Sequence, residues 1–352
     1  MKTVANTAVK ACIGFDLGET SSHYCLVNLE GQVECRGQVE NQRSEFERVL
    51  SSCPQARVVI ETCRVSHWIG SHMRSLGREV YEANPRRVAL ISQSSKKTDR
   101  NDAELLAKIG RADVSLLNAI HPRSAACMEA RILLRVRQQL VGTRTRAVNS
   151  VRSCLRVFGY SAPSCCTEQF AERTAPVVPA HLAALLRPLF ALLKTLNRQI
   201  ESCDRHLATM AKQRFPDSQT LQQIHGVGPL VSLAFVTAIG DPKRFRDSRM
   251  VGAYLGLTPR SRQSGRSDPQ LRISKEGDPM VRSLLVTAAT HILRQSAPDT
   301  ALKRHGRRLA KNGSPRDRAR ARIAVARKLA VVLHRLWLTG EVYRPLPLEP
   351  AA

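Results

Sequence analysis

Four acidic residues in the first third of the chain lie where a metal-dependent site would need them. Asp16 and Glu61 each close a short apolar segment, and Asp99 and Asp102 are spaced i and i+3 at the start of a helical pattern. Carboxylate oxygens are ligands that hard divalent cations prefer, and residues at i and i+3 share a helix face. Two such ions stabilise the attacking and leaving oxygens of a phosphodiester displacement. The sequence therefore predicts a Mg²⁺ (or Mn²⁺) site for phosphodiester chemistry.

Each acid also has an ordinary structural interpretation. Taken alone, Asp99 and Asp102 fit a helix N-cap and a partner of the helix dipole about as well as they fit metal ligands. Asp16 fits a turn. Glu61 is harder to explain in this way, because an unpaired carboxylate at the end of an apolar strand is costly. The combination of the four acids favours the metal site.

An α/β pattern over residues 8–120 predicts the elements that position these acids. Three strands joined by short turns are followed by alternating strands and helices, which is the order of a ribonuclease-H-like (RuvC-like) domain. The predicted strands span 11–16, 23–29, 32–39, 57–61 and 79–81, and the predicted helices span 43–52, 66–76 and 99–109.

The charge of the chain predicts a polyanionic partner. Its 55 Lys and Arg residues against 29 Asp and Glu residues give a formal net charge of +26, and each phosphate that is neutralised releases condensed counterions. No apolar run has the length of a membrane span, and the first ten residues lack the core of a signal peptide. None of the ten cysteines forms a C-x-x-C pair. We therefore expect a cytoplasmic protein whose cysteines are reduced.

Two tracts concentrate the basic residues. Between 124 and 158 seven arginines accompany one acid, and between 303 and 328 eleven basic residues accompany one acid. A solvated helix face is the alternative, but the imbalance favours contacts with nucleic-acid phosphates. The predicted contacts from the two tracts are Arg131, Arg135, Arg318, Arg320 and Arg322.

A heptad pattern follows in a helical linker, predicted over 121–215. Its apolar residues are spaced alternately by four and three positions, as in a coiled-coil seam: Leu189, Leu193, Leu196, Ile200, Cys203, Leu207 and Met210. Pro188 is expected to start or kink this helix. Packing within one chain is the alternative, and a homo-oligomer (dimer or tetramer) is slightly favoured.

The remaining residues, 216–345, predict a mainly α domain with a helix-hairpin-helix-like element. Gly226 and Gly228 form a Gly-x-Gly turn whose backbone N–H groups fit a phosphate. A plain helical hairpin fits this segment nearly as well.

Two other classes of protein fit the sequence less well than a nuclease-type enzyme does. The segment D-L-G-E-T-S at 16–21 is similar to the first phosphate loop of an actin-like-fold phosphotransferase, but a second phosphate loop and an adenosine site are not convincing. A non-catalytic nucleic-acid-binding protein leaves the four acids unexplained.

Two sets of motifs resemble the DEDD transposases of insertion-sequence family one-ten. The segments are G-F-D-L-G at 14–18, V-I-E-T at 59–62, K-T-D-R-N-D-A at 97–103, I-H-G-V-G-P at 224–229, A-I-G-D-P-K-R-F at 238–245, A-Y-L-G-L-T-P at 253–259, Q-S-G at 263–265 and I-S-K-E-G-D-P at 273–279. The resemblance implies a RuvC-like domain whose four acids bind Mg²⁺, and a serine of the C-terminal domain that attacks DNA. It also implies a structured guide RNA made from the end of the element.

The resemblance places the nucleophile at Ser264, in the Q-S-G segment. This serine lies among Arg260, Arg262 and Arg266, cations that could hold a phosphate, and Lys275 is a further predicted contact. The nearby Ser261, Ser267 and Ser274 are the competing choices. The chain is thus expected to be an RNA-guided transposase or recombinase. A RuvC-like nuclease or junction resolvase without serine chemistry is the alternative.

Overall fold

A computed structural model describes residues 11–86, 88, 98–264, 267, 269, 271–310 and 313–346. The chain forms two compact units, the first ending at Pro122 and the second beginning at Arg123.

The first unit contains a mixed five-stranded sheet with the strand order β3-β2-β1-β4-β5. The strands are β1 (Ala11–Leu17), β2 (Ser21–Asn28), β3 (Val33–Glu40), β4 (Ala56–Glu61) and β5 (Val80–Ala83). β1, β2 and β3 pair antiparallel, whereas β4 pairs parallel to β1 and to β5. This sheet is compatible with the predicted ribonuclease-H-like domain.

Helices cover both faces of the sheet. They are α1 (Arg43–Ser51), α2 (Ser66–Ser75) and α3 (Asp99–Ala112), followed by a 3₁₀ turn at Val114–Leu117. Ile13 and Phe15 of β1 are buried in one core with α1 and α2. Cys12 of β1 and Val59 of β4 are buried in the opposite core with α3. Successive residues of a strand point to opposite faces, so the even residues of β1 face α3.

The described part of the second unit is helical apart from two isolated β-bridges. Its longer helices are α4 (Ala125–Val157), α6 (Ala180–Arg214), α8 (Pro229–Ile239), α10 (Pro279–Ile292), α11 (Ala301–Leu309) and α12 (Pro315–Thr339). Its short helices are α5 (Phe170–Thr174), α7 (Asp217–Thr220) and α9 (Met250–Tyr254). No helix of the described residues is long and apolar enough to cross a membrane.

The heptad seam lies on α6 and is buried within the chain. Leu193, Leu196, Ile200 and Leu207 are each at most 5% exposed, and α6 packs along α4. The heptad seam that favoured an oligomer is therefore already covered by the same chain. It gives no reason to expect that a second chain packs against it. The helix also begins at Ala180 and continues through Pro188, so the expectation that Pro188 starts it was wrong.

Candidate active site

The sheet places Asp16, Glu61 and one histidine on the face that α3 covers. Asp16 and Glu61 each follow by one position the registered parallel pair Phe15 and Ile60, and they share a face with Cys12 and Val59 by alternation. His23 of β2 lies directly opposite Asp16 in the antiparallel register. These three residues therefore lie at the same end of the sheet and on the same face.

The first turn of α3 brings the other two acids to this end. Thr98 is the N-cap, and its hydroxyl accepts a hydrogen bond from the Asn101 amide at 3.3 Å. Asp99 and Asp102 therefore lie inside the helix, and the interpretation of Asp99 as the cap was wrong. The backbones of β1 and α3 touch at Gly14, where a Cβ would overlap the Ala103 carbonyl oxygen and lie 2.5 Å from the Ala107 nitrogen.

The other three acids all act on the charge state of Asp16. The pKa of Asp16 is raised to about 6. Burial is the largest cause, and the negative charges of Asp99, Asp102 and Glu61 contribute the rest of the increase. His23 acts in the opposite direction and lowers the pKa of Asp16. A carboxyl group among like charges holds its proton more tightly, and a bound divalent cation reverses this effect. We name these four residues, together with His23, the acidic edge.

His23 is a residue of this region that the sequence interpretation missed. Its Nδ1 lies 3.8 Å from Oδ2 of Asp99, and its side chain is 21% exposed. The pairing of β1 with β2 could have pointed to it, because an antiparallel hairpin places a residue of the second strand opposite Asp16.

The donor set of the acidic edge suits a hard divalent cation, because it offers carboxylate oxygens that come from three separate elements. Over the residues that the structure describes, however, no three His, Cys, Asp or Glu side chains are arranged closely enough to hold a metal ion. The donor chemistry and the charge fit the cation, and the side chains would have to move toward one another to bind it.

Ser264 lies at the tip of a hairpin in the second unit. The hairpin starts at the bridge between Pro259 and Ile273, and near its tip Ser264 and Ser267 exchange two backbone hydrogen bonds of 3.1 and 2.9 Å. The Ser264 side chain is exposed. The backbone of Ser264 is thus held by hydrogen bonds while its side-chain hydroxyl stays accessible.

Two glycines fix the base of this hairpin. At Gly256, which has φ +68°, a Cβ would lie 2.7 Å from the Lys275 carbonyl carbon, and at Gly277, with φ +71°, it would overlap the Tyr254 carbonyl oxygen. Only glycine adopts these positive φ values without strain. The motifs at 253–259 and 273–279 are therefore two loops that interlock through their backbones.

The side chains around Ser264 differ in how they are held. Ser274 is half-buried, and its hydroxyl accepts a hydrogen bond from the Glu276 amide at 3.4 Å. Arg260 donates to the Ser274 carbonyl at 3.4 Å, and Arg262 and Lys275 are exposed. The remaining predicted contact, Arg266, lies outside the described residues.

The arginines of α4 are mostly engaged within the second unit. Arg131 pairs with Asp278, and Arg137 pairs with Asp204. Arg144 is buried and donates to Glu168 at 2.8 Å and to Asn197 at 3.0 Å. Arg152 lies 5.2 Å from the centroid of the Phe170 ring. Three arginines are exposed: Arg135, Arg146 and Arg156.

The interpretation of the α4 tract as a continuous phosphate-binding surface therefore needs correction. Four of its seven arginines bind an acid or an aromatic ring within the second unit, and Arg131 is paired with the Asp278 carboxylate. A fifth, Arg146, donates to the Thr143 hydroxyl at 3.0 Å. Arg131 is therefore not available as a phosphate contact in this structure, whereas Arg135 is exposed and stays a predicted contact.

The arginines of α12 remain exposed. Arg318, Arg320 and Arg322 all lie in the first turns of this helix. The positive charge of this region also acts on His305 of α11, where burial together with Lys328, Arg308 and Arg327 lowers the pKa.

The Gly-x-Gly turn joins two helical segments, as predicted. The short α7 and a 3₁₀ turn at Leu221–Gln223 precede it, and α8 begins at Pro229. Gly226 has φ +88°, and Gly228 is the N-cap of α8 with open space around its Cβ position. A short helical segment followed by α8 fits both a helix-hairpin-helix and a plain helical hairpin.

A mixed sheet with an acidic edge, followed by a basic helical unit, is compatible with the DNA transposase or recombinase expected from the sequence. Two family models match the chain in this order. A DEDD transposase model of the IS110 type, described as "Transposase", matches residues 13–159. The model for the "Transposase IS116/IS110/IS902 family" matches residues 218–306.

Curated relatives extend the similarity over most of the chain. The transposase for insertion sequence element IS1328 of Yersinia enterocolitica is 31% identical over 79% of this chain and 82% of its own length. The transposase for insertion sequence element IS1111A of Coxiella burnetii is 28% identical over 94% and 91%. A probable family 20 transposase of Pseudomonas aeruginosa is 29% identical over 95% and 98%. The chain belongs to the IS110 family of DEDD transposases, which confirms the family and the enzyme class expected from the motifs.

Proposed function

We propose that this transposase cuts and rejoins DNA with a divalent cation at Asp16, Glu61, Asp99 and Asp102 and with Ser264 as the nucleophile. The observation that supports the proposal is the position of the four acids. Asp16 and Glu61 end two paired strands, and Asp99 and Asp102 lie in the first turn of α3, which covers that face of the sheet. The charges of the other three acids also raise the pKa of Asp16. DEDD transposases are generally metal-dependent. Mg²⁺ or Mn²⁺ would supply charge neutralisation and a Lewis acid at this point.

The serine would conserve the bond energy of the DNA backbone. The Ser264 Oγ attacks phosphorus, a phosphorus–oxygen bond to deoxyribose breaks, and the serine proton ends on the released deoxyribose hydroxyl. In the second step, a deoxyribose hydroxyl of the other DNA end attacks the phosphoserine and restores Ser264. No energy-carrying cofactor is consumed, because one ester replaces another.

The predicted basic residues would position the nucleic acid. Arg260, Arg262, Arg266 and Lys275 would surround the phosphate near Ser264, and the turn at Gly226 and Gly228 would present amide groups to a second phosphate. Arg135, Arg318, Arg320 and Arg322 would contact other backbone phosphates. We further propose that a structured RNA from the element guides the reaction, that a homo-oligomer carries it out, and that the protein works at the bacterial nucleoid.

A recombination assay tests the chemistry. Two plasmids carry the element ends and a target, and the non-coding transcript of the element is added. Asp102→Asn and Ser264→Ala should each abolish joined product, and Ser264→Ala should also abolish the covalent protein–DNA adduct on a denaturing gel. The matched control is Asp113→Asn, which makes the same change at the other end of α3, where the side chain caps a 3₁₀ turn. Full product from Asp102→Asn, or an adduct from Ser264→Ala, would contradict the proposal.

Thermal unfolding tests the cation site without any reaction. The folded pKa of Asp16 exceeds its ordinary value of 3.8, so its stabilising contribution is complete below pH 3.8 and is lost as the pH rises through about 6. Asp16→Asn should therefore stabilise the metal-free protein by about 1 kcal/mol at pH 7, a value reduced for solvent screening. Mg²⁺ should raise the unfolding temperature of the wild type and not that of Asp16→Asn. Equal effects of Mg²⁺ on both proteins would exclude Asp16 as a ligand.

A further inference from the structure

A pocket of about 570 Å³ opens between the C-terminal end of α10, α11 and the first turns of α12. Four of its lining residues are arginines, and none is acidic: Arg294, Arg307, Arg318 and Arg322. Among the residues that the structure describes, these four guanidinium groups form no ion pair or side-chain hydrogen bond. Neither Ser264 nor any residue of the acidic edge lines it.

The floor of the pocket is apolar and closely packed. It includes Leu293, Ala310 and Ala321. At Gly306 a Cβ would overlap the Leu293 side chain and lie 2.8 Å from Cγ2 of Val325. Glycine at this position allows α11 to approach Leu293 and α12 closely beneath the pocket.

The described lining residues of the pocket carry positive charge that no acid among them offsets. Arg318 and Arg322 are spaced i and i+4 on α12, together with Pro315 and Ala321 on the pocket side. Like charges at this spacing destabilise a helix, and no acid of the lining offsets them. A cationic rim around an apolar floor matches a ligand that has an anionic part and a flat apolar part.

We propose that this pocket binds one unpaired nucleotide of a structured nucleic acid, with its phosphate at the arginines and its base on the apolar floor. The pocket volume lies within the roughly 300–1,000 Å³ of small-molecule sites, which suits a single nucleotide. A base-paired helix presents a convex backbone and keeps its bases stacked, so it cannot fill a concave site. Unpaired nucleotides splay outward and stack against guanidinium planes. The proposal rests on the nucleic-acid binding of the proposed function and deepens it.

The test uses three labelled RNA hairpins: one fully paired, one with a single bulged nucleotide, and one whose bulge is abasic but keeps its phosphate. The wild type should bind the bulged hairpin about tenfold more tightly than the other two. The same three hairpins made of DNA show whether the source of the nucleotide is RNA or DNA. An acidic peptide that displaces the bulged hairpin would point to a protein ligand instead and would overturn the proposal.

Two pairs of variants separate the pocket from charge in general. Arg307→Ala with Arg322→Ala removes two pocket arginines, and Arg308→Ala with Arg316→Ala removes two exposed arginines of the same helices that do not line it. Both double variants should bind all hairpins more weakly. Only the first should lose the preference for the bulge, and Ala310→Trp should lose it without a change of charge. Circular dichroism confirms that each variant is folded.

The outcomes distinguish this proposal from the proposed function. A preference for the bulge that survives both Arg307→Ala with Arg322→Ala and Ala310→Trp overturns the pocket proposal and leaves the transposase chemistry intact. An equal loss of preference in the two double variants overturns it as well. Failure of the wild type to bind any nucleic acid would contradict the proposed function itself.

Discussion

Helix α4 and the pair α11 and α12 are both rich in arginine, yet they use it in opposite ways. Four arginines of α4 bind Asp278, Asp204, Glu168 or the Phe170 ring within the second unit. The four arginines of the pocket bind no acid among the described residues. A count of basic residues therefore measures charge, whereas the availability of that charge depends on acids that are distant in sequence.

The largest expected effect is on stability. Arg131→Ala should lower the free energy of unfolding by about 2 kcal/mol, because it removes the charged hydrogen-bond partner of the half-buried Asp278 carboxylate. Arg318→Ala should change it by less than about 0.5 kcal/mol, as for an ordinary surface residue. Urea unfolding measures both. Similar losses in the two variants would mean that the two regions do not differ as described.

Next in size is the effect on nucleic-acid binding. Arg307→Gln with Arg322→Gln should reduce the slope of log affinity against log salt for the bulged hairpin by about one, since fewer counterions are released. Arg137→Gln with Arg152→Gln removes the same charge from α4 and should leave the slope nearly unchanged. Filter binding across a salt series gives both slopes. A drop in the α4 variant would show that its ion pairs open to receive phosphates.

A smaller effect is expected in acid. Burial favours the neutral form of Asp278, but the charge and hydrogen bond of Arg131 and two helix amides outweigh it and lower the pKa below 3.8. This contribution to stability is present above pH 3.8 and is lost as the pH falls through the folded pKa. The difference in unfolding free energy between the wild type and Arg131→Ala should therefore shrink below pH 3.8. If this difference in unfolding free energy instead stays constant as the pH falls from 3.8 through the folded pKa of Asp278, Arg131 stabilises the protein by packing and not by its charge.

The smallest effect concerns the repulsion within α12. Arg318→Gln should raise the free energy of unfolding by about 0.3 kcal/mol, because it removes a like-charged pair at i and i+4. Arg335→Gln is the control on the same helix, because this exposed arginine has no basic residue three or four positions away, and it should show no such gain. High salt should abolish the gain, and a gain that persists there would not be electrostatic.

The acidic edge was largely predictable from the sequence. Strand alternation and the order of elements suffice to bring Asp16 and Glu61 to one face, and the helical spacing of Asp99 and Asp102 is local. His23 was not found, because its place opposite Asp16 depends on the register of β1 and β2. Thr98 carried a local signal for the N-cap that was overlooked.

The second unit was less predictable because its features depend on contacts between distant residues. The partner of Arg131 lies just before α10 and the partner of Arg137 lies in α6, both far along the chain. The seam of α6 has the same spacing whether it packs on α4 or on another chain. The pocket joins three helices, and no single segment carries its pattern.

The close contact of β1 with α3 at Gly14 has a consequence for how copies of such an element lose activity in a genome. Any larger residue there must push α3 away from the strand, since its Cβ would meet main-chain atoms of Ala103 and Ala107 that have no freedom to rotate aside. Asp99 and Asp102 would move with the helix, away from Asp16. One nucleotide change converts a glycine codon to alanine. A gene copy that keeps every acid and the serine is thus still subject to inactivation at Gly14, and an inventory of mobile copies that checks only the reacting residues overcounts them.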